Sequence, residues 1–195
     1  DLLKEHELDE KTLVIFTSDN GPHREGGNNP DFQDSNGPLK GIKRSLTEGG
    51  IRVPTIARWP GSIKAGTTSD FVGCFQDIMP TLAEIAGAKR ASYPDDVDGI
   101  SFASTLTGKG EQADREFLYW AFYEGGGARA MRMGKWKAVQ QPIHTSIRLY
   151  DLNDDLGESN DIATDHSEQV AKMRKLMEAA YEPSQRWKFP KEPGE

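Results

Sequence analysis

The sequence predicts an α/β protein: strand and helix through residues 1–115, then a small antiparallel four-stranded sheet with a C-terminal helix over residues 116–195. Three observations predict it. Leu13-Val14-Ile15-Phe16 is a short, continuously apolar run that ends in the turn residues Ser18-Asp19-Asn20-Gly21. Such a run reads as a strand buried on both faces, as in a parallel α/β sheet. Ile78, Met79, Leu82 and Ile85 recur at helical spacing, which predicts a helix with one apolar face. From Phe117 onward the apolar residues come in four short runs separated by turns, and then in one long amphipathic stretch.

Taken in order, Asp1 to Asp9, with Leu2, Leu3 and Leu8, reads as a helix tail and turn before the first strand. Gly21 to Leu39 is a loop rich in Gly, Asn, Asp and Pro, and loops of that length in compact domains are commonly functional or disordered. Ile51 to Trp59 reads as a second strand, with Pro54 at an edge or early position because proline has no N–H for the ladder. The helix of residues 77–86 has Asp77 placed as its cap and Gly87 at its stop. Lys89 to Asp114 is irregular. Its acidic centre, Asp95-Asp96-Val97-Asp98-Gly99, lacks the ligand spacing and terminal Glu of an EF-hand and reads as a solvated loop. Phe117–Tyr123, Ala128–Met133, Trp136–Gln140 and Arg148–Leu152 read as four strands, with Gly134-Lys135 as a tight turn. In the final helix Asp165 and Glu168 have capping-box spacing, Val170, Met173, Leu176, Met177 and Tyr181 form one stripe, and Pro183 lies just past the end.

The 195 residues are enough to bury a core, although the hydrophobic fraction of 35% and mean hydropathy of −0.68 lie on the polar side. A net charge of −7 argues against nucleic acid and anionic membranes as general partners. An anionic substrate would need local positive charge, and Lys40, Lys43 and Arg44 supply a cluster of it. The single cysteine, Cys74, permits no internal disulfide and reads as a small buried side chain beside Val72 and Phe75. No apolar run approaches the length that spans a bilayer.

Ligands gather beyond the carboxyl ends of strands in α/β sheets. Asp19 and Asn20, on the turn after the first strand, there offer two hard oxygen ligands to calcium or magnesium. Asp-Asn-Gly is also ordinary turn chemistry, so this motif by itself leaves both readings open.

The order of motifs is more specific. After the Asp-Asn-Gly turn come Ser35-Asn36-Gly37-Pro38-Leu39-Lys40-Gly41-Ile42-Lys43, Thr47-Glu48-Gly49-Gly50-Ile51-Arg52-Val53-Pro54 and Arg58-Trp59-Pro60-Gly61. Downstream lie Asp77-Ile78-Met79-Pro80-Thr81-Leu82, Arg132-Met133-Gly134-Lys135-Trp136-Lys137 and Leu149-Tyr150-Asp151-Leu152. From about Thr12 to about Tyr181 the chain closely resembles the C-terminal half of the type I, formylglycine-dependent sulfatases, above all the arylsulfatase A and N-acetylgalactosamine-6-sulfatase branch. It departs from them in having no Cys-x-Pro-x-Arg or Ser-x-Pro-x-Arg string, the source of the formylglycine nucleophile.

The resemblance implies that residues 1–115 are the C-terminal part of an alkaline-phosphatase-like catalytic domain and that residues 116–195 are its small α+β subdomain. It implies hydrolysis of a sulfated carbohydrate or aryl sulfate ester by the intact protein. Asp19 and Asn20 would be calcium ligands, and Lys43, five residues before Glu48, would be the sulfate-binding lysine in preference to Lys40. Glu48, Gly49, Gly50 and Arg52 read as scaffold. His23 follows Asn20 and is a candidate substrate contact or proton donor that matches no family position. His144, in a loop where family members shape the substrate pocket, is a second such candidate; an exposed loop histidine is the competing reading of it. The alternatives are a phosphate or phosphonate ester hydrolase of the same superfamily, and a non-catalytic fragment that acts as a binding module. The chain alone, lacking the nucleophile, is expected to be inactive and to self-associate through exposed apolar sheet surface. The compartment stays unknown, the periplasm or cell exterior being favoured by the family.

Overall fold

The computed structural model describes residues 2–89, 94 and 96–191. Asp1, Asp95 of the acidic run and the last four residues therefore lie outside the described residues. Two compact units are formed, Asp1–Thr17 with Pro54–Arg115, and Ser18–Val53 with Glu116–Glu195.

The first unit opens with a single helical turn, α1 (Leu2–Glu5), and strand β1 (Val14–Thr17). Within the second unit a short helix, α2 (Glu48–Ile51), follows, and the chain returns to the first at β2 (Thr55–Arg58). The expected strand from Ile51 thus starts only after Pro54. β1 and β2 pair antiparallel, Val14 opposite Arg58 and Phe16 opposite Ile56. The predicted burial on both faces of a parallel sheet is not what these two strands show: Phe16 is 65% and Ile56 62% exposed. An apolar run records what a strand is suited to bury against, and a two-stranded sheet has no further described layer over this face. Arg58 clamps Asp9 through two hydrogen bonds of 2.8 and 2.9 Å.

Helix α3 (Ile78–Ile85) and α4 (Ala103–Thr107) complete the unit. Met79 and Leu82, on the predicted apolar face, are exposed, whereas Pro80 and Thr81 are buried. Asp77 does not cap α3. Its buried carboxylate turns back to accept the amide N–H groups of Cys74 (2.8 Å) and Ile100 (2.9 Å), and it pairs with Arg115. Thr81 extends this knot, donating to the Asp77 carbonyl at 2.6 Å and accepting from Phe102 N–H at 2.9 Å. Cys74 is half-buried rather than buried. Its sulfur accepts from Arg115, and burial pushes its thiol pKa up against that guanidinium.

In the second unit β3 (Leu118–Phe122), β4 (Ala128–Met133), β5 (Trp136–Gln140) and β6 (Arg148–Asp151) form an antiparallel sheet in sequence order. The Gly134-Lys135 turn joins Met133 to its partner Trp136, with Gly134 at φ 56°. Side chains alternate across the sheet. Met131, Ala138 and Leu149 point to one face and pack with Met173 and Met177 of helix α5 (Ser167–Ala179). Each such buried methionine contributes about 1.5–3 kcal/mol. The expected capping box at Asp165 is not formed; α5 starts one residue later, after His166, with no side-chain cap. Ala128, Ala130, Val139 and Tyr150 point to the other face, and Leu46 covers them. The sheet is therefore covered on both sides, on the second by the segment that leads into α2.

Candidate functional site

The turn after β1 and the loop before α2 are joined by their backbones. Gly21 N–H donates to Gly50 O at 3.0 Å, and Lys43 N–H donates to Pro22 O at 2.9 Å. Those bonds set Gly21 and Pro22, which directly follow Asp19 and Asn20, against the Lys43–Gly50 segment. The approach is so close that only glycine fits: a Cβ on Gly21 would sit 1.9 Å from Gly49 O. Likewise a Cβ on Gly49 would meet Gly41 O at 2.4 Å, and one on Gly50 would meet Ser45 O at 2.1 Å. The Glu-Gly-Gly string is thus a three-way crossing of backbones.

Within this crossing the Asp19 carboxylate is exposed and has no hydrogen-bond or ion-pair partner among the described residues. Asn20 gives its amide N–H to Gly21 O at 3.0 Å, which leaves its carbonyl oxygen as an acceptor. Two hard oxygens of this kind suit calcium, whose six to eight oxygen ligands would have to include others. Among the described residues no three His, Cys, Asp or Glu side chains converge on a metal-sized site.

The two lysines differ in how they are used. Lys40 donates to the Glu158 carbonyl at 2.8 Å and lies 5.6 Å from the centre of the Tyr150 ring. Lys43 is half-buried, and its ammonium has no such partner among the described residues. One lysine fastens the loop, and the other carries a positive charge with no counter-ion among the described residues.

His23 is tied locally. Its Nδ1 accepts Glu25 N–H at 3.1 Å, and the Arg44 guanidinium lies 3.3 Å from its Nε2. Arg44, at φ 76°, also faces Glu124 at 3.6 Å. His144 is exposed and meets the Pro190 carbonyl of the C-terminal tail at 2.8 Å. The hydrogen bonds that join the Asp19–Asn20 turn to the Lys43 loop do not extend to His144.

Sequence reasoning missed the cluster underneath. Glu48 opens α2 and is buried, its Oε1 2.7 Å from the ammonium of Lys137, which is 0% exposed. Its Oε2 faces Arg132 at 3.4 Å and Arg52 at 3.8 Å. Arg52 thus pairs with Glu48, two residues that read as scaffold in the sequence. Glu158 accepts the Glu48 amide N–H at 2.6 Å, while its second carboxylate oxygen is buried without a partner. Burial pushes the Glu158 carboxyl above its ordinary range, against the pull of Lys137 and of the Glu48 amide. One signal was available in the sequence. Lys137 is the single charge in Trp136–Val139, an otherwise apolar stretch, and a charge on an inward face of a central strand requires a partner.

These features together make up a mixed α/β protein whose four-stranded antiparallel sheet carries the loop of Lys40, Lys43 and Glu48 on one face and α5 on the other. Known proteins of similar sequence and structure are sulfatases. The Sulfatase family model matches residues 1–88. Human steryl-sulfatase is 43% identical over 60% of this chain and 20% of its own. Human arylsulfatase A is 32% identical over 87% of this chain and 38% of its own. Mouse N-acetylgalactosamine-6-sulfatase is 38% identical over 70% and 25%. The solved structure of Ps i-CgsB in complex with k-i-k-neocarrahexaose matches with a TM-score of 0.79 and 28% identity, covering 97% of this chain and 41% of that one. The chain belongs to the sulfatase family. It spans between 20% and 38% of the length of these curated relatives.

Proposed function

We propose that the intact protein hydrolyses a sulfuric ester of a carbohydrate or aryl alcohol, with Asp19 and Asn20 as calcium ligands and Lys43 as the residue that grips the sulfate. The observation that carries this is the pairing of two backbone bonds, Gly21 to Gly50 and Lys43 to Pro22, with an uncommitted Lys43 ammonium. The neocarrahexaose bound to Ps i-CgsB favours a sulfated carbohydrate.

When bound, calcium supplies Lewis-acid polarisation of a sulfate oxygen. Asp19 offers it a carboxylate, and Asn20 offers a carbonyl oriented by its own amide bond to Gly21. Lys43 holds positive charge against the transferring group, where negative charge builds as the alcohol leaves. Lys43 is half-buried, and among the described residues no carboxylate is paired with it to compete with the sulfate. The nucleophile comes from a formylglycine signature that these 195 residues do not contain.

The test is sulfate release from p-nitrophenyl sulfate and sulfated oligosaccharides by protein purified from its native host, with p-nitrophenyl phosphate as a parallel substrate. Lys43→Ala is expected to lower kcat by about 100-fold or more, the usual effect of removing one oxyanion-stabilising group. Lys40→Ala is expected to lose less than about tenfold, since Lys40 acts only through loop position. Faster turnover of the phosphate ester would transfer the reading to phosphate chemistry. Native-like kcat in Lys43→Ala would remove the lysine from the reaction.

A further inference from the structure

Arg132 and Lys137 are direct cross-strand partners of β4 and β5. Like charges placed opposite each other on one face of a sheet repel, and Lys137 is wholly buried. A single carboxylate resolves the conflict. Glu48 puts Oε1 on Lys137 at 2.7 Å and Oε2 towards Arg132 at 3.4 Å. Lys137 also lies 5.2 Å from the centre of the Trp120 ring, whose face favours a cation.

Glu48 is the first residue of α2 and the hub of the crossing described above. Its amide N–H goes to Glu158 and its carbonyl to Arg52 N–H at 2.7 Å. The next amide, Gly49 N–H, holds Lys40 O at 2.8 Å, and the Gly50 carbonyl holds Gly21. The chain from the sheet to the site is therefore continuous: Lys137 and Arg132, Glu48, the Gly49-Gly50 backbone, and then the Asn20 turn on one side and the Lys40–Lys43 loop on the other.

We propose that Arg132 and Lys137 are positioning residues. They form a cation pair, built into the small sheet, that docks Glu48 and so fixes Lys43 against the Asp19–Asn20 turn. The functional half of this statement rests on the sulfatase reading; the docking half does not. Geometry favours a positioning role over general stabilisation because the cluster bears on one loop. α5 packs on the opposite face of the sheet, through Met173 and Met177, and does not share the ion pair. Truncating Lys137 therefore releases the loop and leaves that core in place.

Amide hydrogen exchange on the 195-residue chain tests the docking. In Lys137→Met, the amides of Gly21, Lys43, Gly49 and Arg52 are expected to exchange at least about tenfold faster, while those of α5 and of the β4–β5 ladder stay within about twofold of native. Glu48→Gln, which keeps the shape and removes the charge, is the second variant should Lys137→Met not fold, and the same local pattern is expected. Unchanged loop protection in a folded variant overturns the proposal, as does an equal loss of protection throughout the unit. In sulfate-releasing protein purified from its host, Lys137→Met is further expected to lower kcat at least about tenfold per folded molecule, with KM within about threefold, because Lys43 acts on the developing charge. Native kcat alongside a loosened loop would refute the link to Lys43. Absence of turnover in the native protein would instead refute the sulfatase reading and leave the exchange result to decide the docking.

Discussion

Replacing Gly21 by alanine puts one methyl group where three backbones cross. The added Cβ would stand 1.9 Å from Gly49 O and 3.0 Å from Gly50 Cα. Relief requires the Asn20 turn and α2 to separate by about 1 Å, since carbon and oxygen at that distance are deep in the repulsive wall. The obstacle is a carbonyl of the main chain, not the end of a flexible side chain, so the usual overpacking cost of about 1–3 kcal/mol applies at its upper end. The same separation breaks the 3.0 Å bond from Gly21 N–H to Gly50 O, which adds about 1 kcal/mol. The sum is about 3–4 kcal/mol. At about 2–4 °C per kcal/mol for a chain of this size, the melting temperature should fall by roughly 6–16 °C. The assay is thermal and urea unfolding of the native chain and the variant side by side, followed by circular dichroism. A melting temperature within about 1 °C of native would mean that the turn and the Glu-Gly-Gly segment are not locked together, and the site geometry argued from that lock would fall with it.

Two further substitutions probe buried charge. The Glu158 carboxyl is raised above the ordinary value of 4.5, so its contribution to stability is present below that value and is lost as pH rises through the folded-state value. The stability of native protein relative to Glu158→Gln is therefore expected to decline as pH rises above 4.5; urea midpoints that stay level or rise across that range would contradict it. In the other unit, Asp77→Ala leaves the Cys74 and Ile100 amides and the Arg115 guanidinium without their common acceptor. A loss of about 3–5 kcal/mol is expected, and a urea midpoint that implies less than about 1 kcal/mol would show the Asp77 knot to be dispensable.

The small sheet was legible in the sequence because its signals are local. β4 and β5 occupy the residues predicted for them, 128–133 and 136–140, since alternating side chains and a Gly134-Lys135 turn define both strand and register. The stripe through Met173 and Met177 located α5 for the same reason. The start of α2 was hidden. Glu48-Gly49-Gly50-Ile51 is a poor helix-forming string, and it turns into helix because close backbone contacts and the Glu48 ion pairs hold it there. The exposure of Phe16 and Ile56 was equally hidden, since an apolar strand does not state what covers it. Asp19, Asn20 and Lys43 were singled out by motif order, which also preferred Lys43 to Lys40; what that order could not state is tertiary, that the Glu158 carbonyl and the Tyr150 ring occupy Lys40.

The reliance on charge in this region follows from its composition. From Gly21 to Gly50 the chain is largely Gly, Asn, Asp, Ser, Pro and basic residues, and Leu46 is its one buried large aliphatic side chain. Such a segment cannot fix its own place by apolar burial, because too little area leaves water to offset the entropy of ordering it. Its remaining means are backbone hydrogen bonds at close range, which glycine permits, and buried ion pairs, which have only one satisfied geometry. Partners 84 to 110 residues away in sequence, Arg132, Lys137 and Glu158, supply that geometry. A hydrophobic replacement of the Glu48–Lys137 pair could match its stability, but an apolar contact tolerates sliding by an ångström. A carboxylate held between two cations does not, and the sulfate-gripping role proposed for Lys43 requires that intolerance.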